Sequence, residues 1–166
     1  MTKTSLMLVS LIFFIFTITM GEESGNLRGP LVDAATSPFI ILYSKPDDKS
    51  SASAIESVVE TFRKELSPEA SQFSKLCKVE AELDQSDIEN YNILLITIFR
   101  YSSLIKRVKD KIPLKIEDDI VSIGRREYKG DVGLIFICPN PLNPAKYLLV
   151  FGATNGRDPS THHGFR

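Results

Sequence analysis

The chain has 166 residues, of which 43% are hydrophobic and 25% are charged, an ordinary composition for one globular domain with a terminal segment. Its formal net charge of −1 gives no electrostatic field that would draw it to nucleic acid or to an anionic membrane. The two cysteines, Cys77 and Cys138, are too few for a disulfide framework. One bond between them remains an open alternative to two buried, inert thiols.

An apolar run opens the chain. It extends over residues 5–20, follows the single positive charge of Lys3, and gives way to the polar Gly21-Glu-Glu-Ser-Gly. This pattern predicts a signal peptide over residues 1–21, or an uncleaved membrane anchor, since the run is slightly shorter than the ~20 residues of a membrane-spanning helix. Both alternatives predict an extracytoplasmic protein, either secreted or held at the membrane by residues 5–20 alone.

After a linker over residues 22–36, one α/β domain is predicted over residues 37–157, followed by a flexible tail over 158–166. The apolar run 39–43 predicts a strand buried on both faces. Apolar residues at three- and four-residue spacing then predict a helix; they are Ile55, Val58, Val59, Phe62 and Leu66. Ser67-Pro68-Glu69 indicates a second helix start.

The second half alternates between strands and helices. Residues 77–84 predict an exposed strand, 91–97 a buried strand and 104–112 a helix that Pro113 ends. Residues 114–124 predict a hairpin that turns at Asp118-Asp119, and 125–131 a polar connection. Two apolar strands, 133–138 and 146–152, close the domain around a corner rich in proline and asparagine.

This order predicts an α/β domain of the three-layer, Rossmann/flavodoxin-like type, with helices on the faces of a mixed, mostly parallel sheet. The strand at 146–152 is expected parallel beside 91–97, with 133–138 as an antiparallel edge strand. The corner prolines Pro139, Pro141 and Pro144 lack N–H donors and are expected in a loop beyond the sheet. Asn140 and Asn143 are expected to bond local backbone and shape the corner.

Several motifs resemble an accessory domain that accompanies α/β-hydrolase or prolyl-oligopeptidase-like esterase domains in secreted bacterial proteins. The most specific is Pro139-Asn-Pro-Leu-Asn-Pro144, followed by Lys146-Tyr147. Weaker matches are Gly29-Pro-Leu-Val-Asp-Ala34, Asn92-Ile-Leu-Leu-Ile96, Gly124 to Tyr128, and Gly152-Ala-Thr154. The resemblance covers residues 29–157 and implies an accessory module without its hydrolase domain, and therefore a separately encoded α/β-hydrolase as a partner.

The chain departs from that family after the central strand. There the family has a Gly-x-Pro-x-x-Asn loop, whereas residues 97–103 read Thr-Ile-Phe-Arg-Tyr-Ser-Ser. If the loop contributes to a shared binding surface, the departure implies that this surface is altered here.

The residue types also exclude familiar chemistries. A Ser-His-Asp hydrolase needs a Gly-x-Ser-x-Gly turn and a positioned histidine, but the motif is absent and His162 and His163 lie in the tail. The loop after the first strand, Ser44 to Ser50, has no glycine to admit a dinucleotide phosphate. Two tail histidines do not make a metal site. We therefore expect no catalytic residue, no metal and no cofactor.

One binding site can be predicted. Ligands of open α/β sheets bind beyond the carboxyl ends of parallel strands. Cationic, hydroxyl and amide groups follow those strands and could together hold an anionic or sugar-like ligand, with ordinary loop polarity as the alternative. They are Ser44, Lys45, Arg100, Thr154, Asn155 and Arg157, with Thr97 beside them.

The sequence thus favours a non-catalytic, extracytoplasmic binding or accessory module. The alternatives are a small secreted hydrolase that uses carboxylates at the sheet edge, and the accessory half of a split esterase or peptidase. Neither nucleic acid nor a cofactor is expected as a partner.

Overall fold

The computed structural model describes residues 38–66, 77–117 and 119–155. The predicted signal or anchor (1–21), the linker (22–36), the second helix start at Ser67-Pro68 and the tail (158–166) lie outside these ranges, so those predictions are not addressed by the structure. No helix within the described ranges is long and apolar enough to cross a membrane.

Eight strands, three helices and two 3₁₀ turns make up the described chain. The strands are β1 (Phe39–Tyr43), β2 (Cys77–Val79), β3 (Asn92–Ile98), β4 (Lys115–Glu117), β5 (Ile120–Ile123), β6 (Arg126–Lys129), β7 (Gly133–Asn140) and β8 (Asn143–Ala153). The helices are α1 (Lys49–Leu66), α2 (Gln85–Asn90) and α3 (Ser103–Val108), and the 3₁₀ turns are Glu80–Glu82 and Phe99–Tyr101.

The larger sheet has the order β2-β1-β3-β8-β7. Four of its strands are mutually parallel, and β7 alone runs antiparallel, paired with β8. The predicted mixed, mostly parallel α/β sheet is therefore confirmed. So is the placement of the last strand beside the central one, since Leu148 pairs with Ile93 and Ala153 with Ile98.

Apolar residues cover both faces of this sheet. All seven residues of β3 are buried, as expected for a central parallel strand. On one face, Ile55, Val59 and Phe62 of α1 pack against the sheet, and the Phe62 ring meets Phe151 edge-on with centroids 5.1 Å apart. On the other face, the sheet packs against residues of α3, of the smaller sheet and of the segment between them: Leu104, Ile105, Val108, Leu114 and Val121.

The smaller sheet is an antiparallel meander, β4-β5-β6. The predicted hairpin is confirmed by the pairing of Glu117 with Ile120, although Asp118 of its turn lies outside the described residues. The prediction of a polar connection over 125–131 was wrong, because β6 pairs there with β5. Gly124, at φ +61°, makes the tight turn between β5 and β6. Backbone groups form the ladder between these two strands, so the polar side chains of β6 do not predict it.

Three further boundaries differ from prediction. The strand expected over 77–84 ends at Val79, where Glu80 begins a 3₁₀ turn. Helix α3 ends at Val108 rather than at residue 112. The corner is tighter than expected, since Asn140 pairs with Asn143 and both Pro139 and Pro144 lie within strands. Proline is tolerated at such positions where its missing N–H would point away from the ladder.

The two cysteines are far apart. Cys77 lies on β2 and Cys138 on β7, the two outer strands of the sheet. Four strand spacings separate them, about 19 Å, whereas a disulfide requires Cα atoms within about 7 Å. Cys138 is a free thiol whose pKa is raised by burial. The alternative of a Cys77–Cys138 disulfide within one chain is therefore wrong.

Candidate functional site: the carboxyl edge of the sheet

The parallel strands β1, β2, β3 and β8 all end at the same edge of the larger sheet, which we call the carboxyl edge. In the sheet, β2 lies on one side of β1, whereas β3 and then β8 lie on the other side. The order of the strands therefore reverses between β1 and β3, the point at which open α/β sheets bind ligands. The predicted site residues follow these strands.

Ser44 and Thr97 meet at this reversal point. Both are almost fully buried, and the Thr97 hydroxyl lies 2.9 Å from the Ser44 hydroxyl and 3.1 Å from the Ile98 carbonyl. The Ser44 N–H donates to Ile96 O at 3.2 Å. These two hydroxyls hold β1 and β3 together. In the described part of the chain, no histidine or carboxylate bonds Ser44 to activate it as a nucleophile.

Asp48 links the start of α1 to the end of β3. Its carboxylate accepts from Ser51 N at 2.8 Å, which caps the helix, and from the Tyr101 hydroxyl at 2.5 Å. The hydrogen bonds from Tyr101 and Ser51 lower the pKa of Asp48 to about 2, and the Asp48 carboxylate raises the pKa of Tyr101. Exposed Arg100 lies 4.7 Å from the Tyr101 ring centroid.

Glu80 links the end of β2 to the start of α3. This carboxylate is buried, and one oxygen, Oε1, accepts from the Ser102 and Ser103 hydroxyls, both at 2.9 Å, and from Leu104 N. Ser102 in turn caps α3 by accepting from Ile105 N at 2.9 Å. Glu80 Oε2 is buried and has no hydrogen-bond partner among the described residues.

The residues after β8 face the loop between β6 and β7. Thr154 Oγ1 accepts from Val132 N at 2.9 Å and donates to Gly130 O at 2.5 Å. Asn155 Nδ2 donates to Asp131 at 3.0 Å. These two predicted site residues thus fix a loop on the far side of β8. Arg157 lies outside the described residues.

Lys45 lies on a separate cleft of about 460 Å³ at the same edge. The last residues of β1 and β2, Tyr43 and Val79, form one wall, and α1 forms the other through Glu56, Val59 and Glu60. The described lining therefore includes one ammonium group, two carboxylates and one aromatic ring.

The five described residues of the predicted site lie in four places rather than in one. Ser44 is in the buried pair with Thr97, Lys45 is in the cleft, and Arg100 lies over Tyr101. Thr154 and Asn155 hold the loop beyond β8. Sequence reasoning missed Asp48, Tyr101 and Glu80. The spacing Asp48-x-x-Ser51 is a capping signal, but nothing local predicts the partners of Tyr101 and Glu80, which lie 53 and 22 residues away.

The corner motif has a structural use. Asn140 accepts from Leu142 N at 3.0 Å, and Asn143 accepts from Ala145 N at 3.2 Å, as predicted. Asn143 also donates to Ile88 O at 3.0 Å, which ties the corner to α2.

Among the described residues, no group of three histidine, cysteine or carboxylate side chains could hold a metal ion. Comparison of the chain with known protein families, with curated proteins and with solved structures found no match.

Proposed function

We propose that the chain is a non-catalytic, extracytoplasmic binding module built on a three-layer, Rossmann/flavodoxin-like domain. The order β2-β1-β3-β8 and the apolar clusters on both sheet faces support this architecture. The apolar run over residues 5–20 supports export.

The observation that carries the binding role is the contrast between the two parts of the carboxyl edge. Side chains at the β1–β3 reversal bond one another, as Ser44 with Thr97 and Asp48 with Tyr101. The neighbouring cleft has a volume of about 460 Å³, which falls within the ~300–1,000 Å³ of small-molecule sites. A fixed framework beside a cleft of this size favours binding over turnover.

Of the two predicted ligand classes, the cleft favours the sugar-like one. One ammonium against two carboxylates gives the described lining no excess positive charge for an anion. Carboxylates accept hydrogen bonds from hydroxyls, and an ammonium donates them. The Tyr43 ring adds an apolar surface with a polar tip, suited to a sugar ring.

Isothermal calorimetry of the exported chain tests this proposal, with a panel of neutral mono- and disaccharides and with inorganic phosphate as probes. We expect at least one saccharide to bind and phosphate not to bind. Lys45→Met should weaken saccharide binding at least tenfold, since a charge-assisted hydrogen bond contributes roughly 1.5–3 kcal/mol. Lys106→Met, an exposed lysine of α3 on the opposite face of the sheet, is the matched control. Binding of no saccharide in the panel, or equal loss in both variants, would refute it.

A second candidate is the accessory half of a split esterase, with a separately encoded α/β-hydrolase as its partner. It is favoured by two exposed apolar side chains on the smaller sheet, Ile123 at 43% and Tyr128 at 42%. Tyr128 lies opposite buried Val121 and therefore on the apolar face of that sheet. An apolar face that extends beyond the core is suited to a protein partner.

Affinity purification of the exported chain tests this candidate. We expect a co-purified protein that contains Gly-x-Ser-x-Gly and hydrolyses p-nitrophenyl acetate, and we expect Tyr128→Ser to lose it while Ile135→Ser retains it. A pure chain that hydrolyses the ester by itself would instead support the small-hydrolase alternative.

A further inference from the structure

The outer strand β7 forms one edge of the larger sheet. Among the described residues it pairs with β8 on one side, and no segment pairs with the other. Its sequence, Gly-Leu-Ile-Phe-Ile-Cys-Pro-Asn, carries no charge. Edge strands are normally protected by charges, prolines or bulges, and here the proline and the bulge occur only at the far end, at Pro139/Asn140.

The ladder identifies the backbone groups that point outwards. Thr154 N donates to Val132 O at 3.0 Å, which makes residues 132 and 154 a hydrogen-bonded pair. Such pairs alternate along an antiparallel ladder, so Leu134, Phe136 and Cys138 bond towards β8. Gly133, Ile135 and Ile137 therefore direct their N–H and C=O groups away from the sheet.

The side chains at this edge are apolar and partly exposed. Ile135 and Ile137 lie opposite Phe151 and Leu149, on the sheet face that packs against α1. Helix α1 packs near β3 and Phe151, and it leaves Ile135 43% exposed. An isoleucine at that exposure, next to outward-pointing N–H and C=O groups, is suited to pairing with another strand.

We propose that a second copy of this chain pairs with β7 in the antiparallel direction, about a two-fold axis at Ile135. In this register Ile135 lies opposite its own copy, and Gly133 lies opposite Ile137 of the second chain. Three pairs with two hydrogen bonds each give about six bonds, and the two larger sheets join into one.

Self-pairing fits this edge better than a foreign strand for two reasons. Each of the three residues with outward backbone groups pairs with one of the same three residues in the second copy. This is the self-complementarity that a two-fold interface requires. The uncharged strand gives no electrostatic basis for selecting a different partner or for repelling its own copy. Moving the axis by one residue towards Pro139 would set that proline, which has no N–H, opposite Gly133.

Sedimentation velocity of the exported chain between 1 and 100 µM tests the interface. We expect a monomer–dimer equilibrium whose dissociation constant rises at least tenfold in Ile135→Lys. Ile123→Lys is the matched control, because Ile123 has the same 43% exposure on the other sheet, and it should shift the constant less than twofold. A chain that stays monomeric at 100 µM, or equal loss of dimer in both variants, overturns the proposal.

Cross-linking provides a readout of register. Hydrogen-bonded antiparallel pairs have Cα atoms about 5.5 Å apart, within the range of a disulfide. Ile135→Cys should therefore form a covalent dimer under mild oxidation, and Ile123→Cys should not. Equal cross-linking of the two variants would contradict an axis at Ile135.

Discussion

Gly152 sits where a side chain would collide with the core. A Cβ atom there would overlap with Cε1 and Cζ of Phe99, whose ring is 2% exposed and has little room to move. We expect Gly152→Ala to destabilise the fold by roughly 1–3 kcal/mol through overpacking. Urea unfolding followed by circular dichroism measures the change.

Gly133 in the neighbouring strand is the control, since a Cβ there meets nothing within 4 Å. Gly133→Ala should change stability by less than about 0.5 kcal/mol. Adding Phe99→Leu to Gly152→Ala should recover part of the loss. Equal effects of the two glycine substitutions would contradict the predicted clash.

Glu80 is the acceptor for three donors at the start of α3. Glu80→Ala removes that acceptor and leaves the buried Leu104 N–H and the Ser102 hydroxyl without it, so we expect a loss of roughly 1–3 kcal/mol in unfolding free energy. Exposed Glu82 lies in the same 3₁₀ turn, and Glu82→Ala should have little effect. Denaturant unfolding in which both variants are equally stable would show that Glu80 does not hold the turn.

Asp48 makes stability depend on pH. Hydrogen bonds from Tyr101 and Ser51 lower its folded-state pKa to about 2, below the ordinary value of 3.8. A depressed folded pKa stabilises the fold above the unfolded pKa, and this contribution is lost as the pH falls through the folded pKa. The stability difference between wild type and Asp48→Asn should therefore shrink between pH 4 and pH 2.

Thermal unfolding of the two proteins across pH 2–6 measures this difference. Tyr101→Phe removes the hydroxyl donor, so an NMR titration of Asp48 should show a higher pKa in that variant. A constant difference between wild type and Asp48→Asn over the whole range would show that the Asp48 carboxylate is not perturbed.

At the scale of elements, hydrophobic periodicity predicted the strands and helices whose side chains are buried. It missed the strand that is held mainly by backbone hydrogen bonds. The apolar stripe of α1 and the apolar runs of β1, β3 and β8 are visible because their burial requires them. The strand β6 has four exposed residues, so its side chains carry no apolar pattern. The end of α3 was predicted too late, at residue 112, because Ile112 is apolar and buried although it is not helical.

The contact between α1 and the sheet can be measured directly. Phe62 and Phe151 pack edge to face, with ring planes at 81°. Each substitution to alanine should cost roughly 3–5 kcal/mol. A double-mutant cycle should give a coupling of about 0.5–1.5 kcal/mol between the rings. Additive losses would show that the two side chains contribute independently to the core.

At the scale of the whole molecule, the places of the last two strands could be predicted because few topologies are compatible with right-handed crossovers and a tight final corner. The candidate site could be predicted only as an edge. Which residues meet there depends on contacts such as Asp48 with Tyr101, 53 positions apart, and on the side of β8 that Thr154 faces. Neither is encoded in local spacing.

Amide shift mapping on the isotopically labelled chain tests most directly whether the cleft is a binding site. The saccharide that binds best in calorimetry is titrated to saturation. We predict that shifts concentrate on Tyr43, Lys45, Glu56, Glu60 and Val79, and that they weaken in Lys45→Met. Shifts confined to other surfaces, or no shifts at saturating saccharide, would contradict the proposed function.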